Sequence, residues 1–504
     1  MNPGTDVRAL AALRLAAATA LAGGLWLLAW YWPGGLPYDS TSGVWTALAD
    51  DFARGDLYRP VHGELGYGGT RYMPLFFVLH GTLIRAGLAA GTAGMLLTFA
   101  SIGLLGAVTY RLMKILGAGS ALAWPCVLLL PASIAFQLLG VAVKGDLLAA
   151  ACSAGGLAAA VAWSERGWRP GFAFACVAFA AAILTKFTAV FALAALGLWL
   201  VRSGRRARAG ALAAGVLAVV GAGLAVAQGL SAGRLLESFA ACVTGGLGTD
   251  YAWKFPGWFA LVVAQDPFFL ALFLAAAAAG IRRFRRTGLD LPLTYFFVTA
   301  LGTMLLFVSP GIDSNHLMDL LVAAVVLLAV ELTQGGAGRG VATGAGMFAA
   351  AVVATWLPGV PSVRHFFETR GRPTLAAVQE IDRRLPATGP RRLLAENPLV
   401  PIVLGQRPEV LDCFSLRLIA ARSPAVRAEF LENLAARRYT AVVLVDWSAA
   451  PVDELPAAIA SHTSPGVTQF YGEVHFPAGF LDVLWRNYRL SFVVRPFVVL
   501  EPRE

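Results

Sequence analysis

Apolar residues run along this chain in blocks separated by short polar breaks, at about 8–32, 73–90, 92–113, 121–141, 146–163, 171–186, 187–201, 209–230, 258–281, 290–309, 316–334 and 340–357. Several of these blocks approach the roughly 20 residues that a helix needs to cross a bilayer. They are rich in Ala, Leu and Gly and do not alternate with polar residues, which predicts helices rather than the strands of an outer-membrane barrel. Three are short. The block 73–90, which carries His80 and Arg85, predicts a segment that enters the membrane and returns on the outer side. The pair 171–186 and 187–201 predicts a broken hairpin with Thr185-Lys186 near its apex. Backbone breaks at membrane depth persist only where protein or a wet cavity satisfies them.

After about residue 360 charges become frequent and apolar runs shorten. Residues 373–385 and 425–438 predict helices, the second with Val426, Phe430 and Leu434 at helical spacing. Residues 391–395, 400–404, 441–445 and 491–500 predict strands. The expected fold is an α-helical multi-pass membrane protein of about 11–12 apolar segments with a small C-terminal α/β domain on the outer face. The expected division is 1–358 for the membrane part and 359–504 for the outer domain, which is long enough for a core of its own.

Composition narrows the class. Apolar residues make up 58% of 504 and charged residues 14%, with mean hydropathy +0.67. A soluble domain carries about 25% charge, so lipid is the solvent for most of this chain. The net charge is +10, and the basic residues cluster in short breaks: Arg111 with Lys114, Arg166 with Arg169, Arg202 to Arg208, and Arg282 to Arg286. Such breaks read as cytoplasmic, which accounts for the basic excess without a nucleic-acid partner. With the N-terminus inside, every cluster falls inside. The breaks 33–72, 141–146, 231–257 and 310–316 and the C-terminal domain then fall outside, at a bacterial-type cytoplasmic membrane. The first block exceeds a signal-peptide core and lacks a small-residue cleavage site, so it reads as an uncleaved span. The five cysteines show neither a disulfide framework nor zinc spacing.

The outer loop 33–72 departs most from a plain helical bundle. Asp39 follows the first span. Residues 44–53 form a short amphipathic stretch in which Trp45 and Leu48 are expected to face lipid and Asp50 and Asp51 water. Glu64, Tyr67, Arg71 and Tyr72 then precede Met73-Pro74-Leu75. Acids, cations and aromatics gathered at a membrane rim suit a substrate with phosphate and sugar parts. On the same side, Lys144-Gly145-Asp146 opens one span, Thr185-Lys186 interrupts another, and Asn315-His316 leads into a third. Ionisable groups inside apolar segments are costly and mark functional sites by default. A Lys–Asp pair that only neutralises itself, a solvated Asp39 and an interfacial cap at His316 are the plainer accounts of the same residues.

Together these motifs resemble the GT-C glycosyltransferases that use a polyprenyl-phosphate sugar as donor, among them aminoarabinose lipid A transferases and protein O-mannosyltransferases. The resemblance rests on Asp39 after the first span, Gly55 to Pro60 followed by Tyr72-Met73-Pro74-Leu75, Lys144-Gly145-Asp146, Ile183 to Phe187, and Asn315-His316 before a late span. It implies an inverting transferase with a catalytic carboxylate at Asp39, Asp146 or Glu64. Donor phosphate would be held by Arg71, Lys186 and Lys144, and substrate contacts made by Tyr72, Tyr67, His316 and Asn315. Met73 stands where the family keeps a lysine, and Phe187 where it keeps a glycine, so Arg71 or Lys186 would take over the lysine's part. The implied partners are a polyprenyl-phosphate-linked sugar, a hydroxyl acceptor on lipid, glycan or protein, and membrane lipid. No cofactor is called for and no metal-binding acid pair is present. Two other classes share features: a polyprenyl-lipid transporter or flippase, which would predict matched halves, and a non-catalytic lipid-binding scaffold.

Overall fold

The computed structural model describes residues 3–32, 34, 36, 37, 39–242, 255–308, 312–334, 349, 372–386, 391–445 and 474–504. Six helices there are long and apolar enough to cross a membrane: Leu10–Tyr31 (within a helix Pro3–Tyr31), Ala90–Ile115, Asp146–Arg166, Arg206–Leu230, Pro267–Thr287 and Ser314–Gln334. Shorter apolar helices are Pro74–Arg85, Pro170–Thr185, Phe191–Arg202 and Leu291–Leu306. The expected span at 340–357 and the boundary at 358–359 lie outside the described residues.

Asp146–Arg166 is the buried axis of the bundle. Its small residues let neighbours approach closely, as packing between membrane helices requires. A Cβ at Gly156 would meet the Phe179 ring at 2.9 Å. The expected break near Lys186 is present: one helix ends at Thr185, Lys186 is extended, and the next helix starts at Phe191. Two further breaks fall where single spans were expected. Ser120–Ala132 and Ile134–Gly140 meet at 74°, with Pro125 and Pro131 in the first arm. The run 258–281 divides into Phe255–Ala264 and Pro267–Thr287 because Pro267 takes the first helical position behind an Asp266 cap. One buried carboxylate serves both breaks. Asp266 accepts from Ser133 Oγ (2.7 Å), Ala135 N (3.3 Å) and Phe269 N (2.9 Å), satisfying donors that lipid could not.

The basic loops gather at one end of the bundle. Arg166 donates to Ile115 O (3.4 Å), Arg205 pairs with Glu165, and Gly119 N donates to Thr333 Oγ1 (3.0 Å). Arg283 reaches Gln334 Oε1 (3.1 Å) and Arg286 reaches Glu331 (2.7 Å). The C-terminal domain packs on the opposite end. Its four-stranded sheet has the order β3-β4-β6-β5, with β3 (Leu393–Ala395) parallel to β4 (Ala441–Val445), and β6 (Phe497–Pro502) antiparallel to both β4 and β5 (Tyr488–Val494). Three expectations for this domain change. Leu399–Val403 is a helix rather than a strand, since Pro401 lacks the donor a ladder needs. Residues 491–500 form a hairpin across β5 and β6. Helices Cys413–Arg422 and Phe480–Asn487 are additional.

The helix Ser40–Ala53 does not lie on the membrane surface. Trp45 and Leu48 are buried, and so are Asp50 and Asp51, the last 1% exposed. The C-terminal domain covers one side so tightly that a Cβ at Gly43 would sit 2.1 Å from Asn397 Oδ1. Burial on both faces replaces the expected lipid-facing and water-facing sides. The acids find partners instead. Arg59, wholly buried, grips Asp51 with two donors (2.6 and 3.1 Å) and donates to Leu65 O (3.0 Å) and Pro408 O (2.8 Å). Arg407 of the C-terminal domain bridges Asp51 (3.3 Å) and Asp56 (2.9 Å). Burial pushes the Asp51 carboxyl up, against the pull of Arg59 and Arg407. The second half of the loop between the first span and Met73 joins the C-terminal domain outright: β1 (His62–Gly63) and β2 (Gly66–Tyr67) form a hairpin, and Tyr67 N and O pair with Glu409 O (2.8 Å) and Leu411 N (2.9 Å).

Candidate active site

Where bundle and C-terminal domain meet, two lysine–aspartate pairs stand together. Asp39 follows the first span and caps the helix Ser40–Ala53, its Oδ1 accepting from Ser42 N at 2.8 Å. Its other oxygen pairs with Lys144. Lys144 sits in a loop fixed by two long-range bonds, Thr98 Oγ1 to Ala142 O (2.8 Å) and Val143 N to Ser42 Oγ (3.1 Å). Gly145 lets that loop pass: a Cβ there would meet Thr185 at 2.8 Å and Trp45 at 3.4 Å. Asp146 opens the central helix, where a carboxylate is favoured by the helix dipole. It takes Lys186 from the helix break and accepts from Asn315 Nδ2 at 2.9 Å. The Lys144-Gly145-Asp146 triplet therefore does not neutralise itself; each charge reaches a different element.

His316 completes the wall. It follows Asn315 in a tight turn capped by Asp313, and its buried Nδ1 has no hydrogen-bond partner among the described residues. Lys186, Asp146, Arg71 and Lys144 all act on it electrostatically. Asp146, Lys186, Asn315, His316 and Asp319 line a narrow cleft of about 10 Å³. Asp146 and its partner Lys186 both line it. Asp319 was missed by sequence reasoning, although a carboxylate inside the apolar run 316–334 was the signal for it.

The rim carries aromatics and further cations. Tyr72 lies 4.5 Å from the Trp45 ring, its carbonyl accepts from Tyr58 Oη (2.9 Å), and burial pushes its hydroxyl pKa up. Asp412, Arg71, Lys144 and Asp39 all act on Tyr72, which ties the C-terminal domain to the same centre. Arg71 stacks on Phe414 at 4.3 Å and Arg417 lies over the same ring at 5.1 Å. The structure thus brings together Asp39, Lys144, Asp146, Lys186, Asn315, His316, Tyr72 and Arg71. It does not bring in Glu64, exposed at the β1–β2 turn, or Tyr67. Tyr67 belongs to the core of the C-terminal domain, edge-on to the Phe430 ring, accepting from Asn433 Nδ2 (3.2 Å) and with its pKa pushed up to about 12 by burial. Among the described residues no group of three or more acids, histidines or cysteines is placed to hold a metal ion.

In overall fold, with broken helices and a loop clamped beneath a C-terminal domain, the chain is similar to the solved structures of ArnT and of an archaeal oligosaccharyltransferase. ArnT from Cupriavidus metallidurans bound to undecaprenyl phosphate matches with a TM-score of 0.60 at 14% identity, over 95% of this chain and 97% of that one. The apo state of that protein matches with a TM-score of 0.52 at 15% identity, over 95% and 96% of the two chains. The archaeal oligosaccharyltransferase AglB from Archaeoglobus fulgidus, in complex with an inhibitory peptide and a dolichol-phosphate, matches with a TM-score of 0.51 at 12% identity, over 92% of this chain and 72% of that one. No family model and no curated protein sequence matches the chain.

Proposed function

We propose that this chain is a membrane glycosyltransferase that moves a sugar from a polyprenyl-phosphate donor to an acceptor hydroxyl, with inversion, at the outer face of the cytoplasmic membrane. The observation that carries this reading is the pair of Asp39–Lys144 and Asp146–Lys186 contacts at one mouth of a GT-C fold. A donor phosphate entering the cleft meets Lys186 and Lys144 and takes the place of their carboxylate partners, with Arg71 above. Released from Lys144, Asp39 is the base. It takes the proton of the acceptor hydroxyl as that oxygen bonds to the anomeric carbon. On the opposite face the bond from the anomeric carbon to the phosphate oxygen breaks, its electron pair stays on that oxygen, and the lysines hold the resulting charge. One displacement inverts the centre. The ammonium groups supply the positive charge that a metal would otherwise bring, so the reaction is expected to need no divalent ion. The basic end of the bundle would face the cytoplasm, which puts the cleft and C-terminal domain outside.

The test is to reconstitute the protein in liposomes with a panel of polyprenyl-phosphate sugars and candidate hydroxyl acceptors. Release of polyprenyl phosphate with formation of a glycosylated acceptor supports the transferase. Translocation of intact donor would instead mark a transporter, and donor binding with neither outcome a scaffold.

A further inference from the structure

A larger cavity, of about 260 Å³, lies at the basic end of the bundle. One wall is Val108, Arg111 and Ile115 of the helix Ala90–Ile115; the opposite wall is a face of the central helix from Gly155 to Ala162. Trp168 and Phe174 flank it, and both are strongly exposed, at 41% and 60%. Protein interiors are close-packed, so a void of this size, open at the side of a membrane bundle and lined by apolar groups, takes an acyl chain. Its polar end is cationic. Arg111 is exposed at the head of the cavity, and among the described residues no carboxylate pairs with it. Lys114 and Arg166 beside it turn to backbone carbonyls, of Ala118 (3.1 Å) and Ile115 (3.4 Å). Glu165, next to Arg166 in the chain, is taken by Arg205. An apolar slot headed by a cation without a carboxylate, in a loop belt rich in arginine, is complementary to a lipid whose head group carries net negative charge.

We propose that this groove is a binding site for one anionic glycerophospholipid, its chain along Gly155 to Ala162 and its phosphate at Arg111. The test uses protein purified and delipidated in detergent, mixed with equal amounts of dioleoyl-phosphatidylglycerol and dioleoyl-phosphatidylcholine, and read by native mass spectrometry. One phosphatidylglycerol should be retained over phosphatidylcholine by about fivefold or more, the scale of one basic residue at a lipid surface. Arg111→Gln should bring the two lipids to parity. Ala158→Leu, which fills the groove without touching charge, should lower retention of both. Melting temperatures in lipid-free detergent confirm that the variants are folded. Equal retention by the parent, parent-like selectivity in Arg111→Gln, or displacement of the bound lipid by an equimolar polyprenyl phosphate would overturn the assignment.

Discussion

Replacing Asp39 separates the roles this residue holds. Its carboxylate caps the helix Ser40–Ala53 through Ser42 N (2.8 Å) and pairs with Lys144, and both side chains are largely buried, at 14% and 10% exposure. Asp39→Asn keeps the size and the cap, because asparagine is an equally good N-cap, but it neither pairs with Lys144 as an anion nor accepts a proton. Asp39→Ala loses the cap as well, a cost of about 1 kcal/mol in stability. Loss of a general base lowers turnover by about 10²-fold or more, which is about 2.7 kcal/mol of barrier. The expected pattern for Asp39→Asn is turnover down about 100-fold or more, with the helix cap kept and only the pairing of Lys144 lost from stability. Asp39→Ala should show the same turnover loss with a lower melting temperature. Donor affinity should be unchanged or tighter in both, since Lys144 no longer has a carboxylate to leave. Turnover, donor binding and melting are measured on one preparation of each variant. If Asp39→Asn works within a few-fold of the parent while Asp39→Ala is impaired, Asp39 is a cap and the base is Asp146.

Three further outcomes follow from the same geometry. Lys186→Met should weaken donor binding about tenfold or more, the scale of a lost charge-assisted hydrogen bond, and should also lower the melting temperature because Asp146 is left buried without its cation; parent-like donor binding by the folded variant removes Lys186 from the phosphate site. Arg59→Met leaves Asp51 buried without its two-donor partner, so unfolding in detergent should show a loss of about 3–5 kcal/mol, and Arg59→Lys should not restore it. A cysteine at exposed Arg383 should react with an impermeant thiol reagent in intact cells and one at exposed Arg206 only after lysis; the reverse pattern inverts the orientation.

What the sequence made legible was whatever local chemistry signals. Long apolar runs gave the helices, and ionisable residues interrupting them gave Asp146, Lys186 and His316, because lipid tolerates such groups only for a reason. The breaks at Pro131 and at Asp266-Pro267 carried local signals too, yet the surrounding apolar residues read as continuous spans. The burial of the helix Ser40–Ala53 had no local signal. Its pattern is that of an interfacial helix, and much of its cover comes from residues some 350 positions away, among them Asn397 and Arg407. The same distance explains the divided fate of the outer loop. Tyr72 and Arg71 border the cleft, whereas Glu64 and Tyr67 follow the hairpin into the C-terminal domain. Arg59, part of the Gly55 to Pro60 motif, is the buried partner of an acid eight positions earlier.

The central claim is that the sugar leaves a lipid phosphate held between the two lysine–aspartate pairs. An electron cryomicroscopy structure of the protein with bound polyprenyl phosphate tests it most directly. The account predicts phosphate density within hydrogen-bond distance of Lys186 and Lys144, with Asp39 and Asp146 drawn away from the lysines and the cleft widened. Phosphate bound elsewhere, with both ion pairs intact, would contradict it.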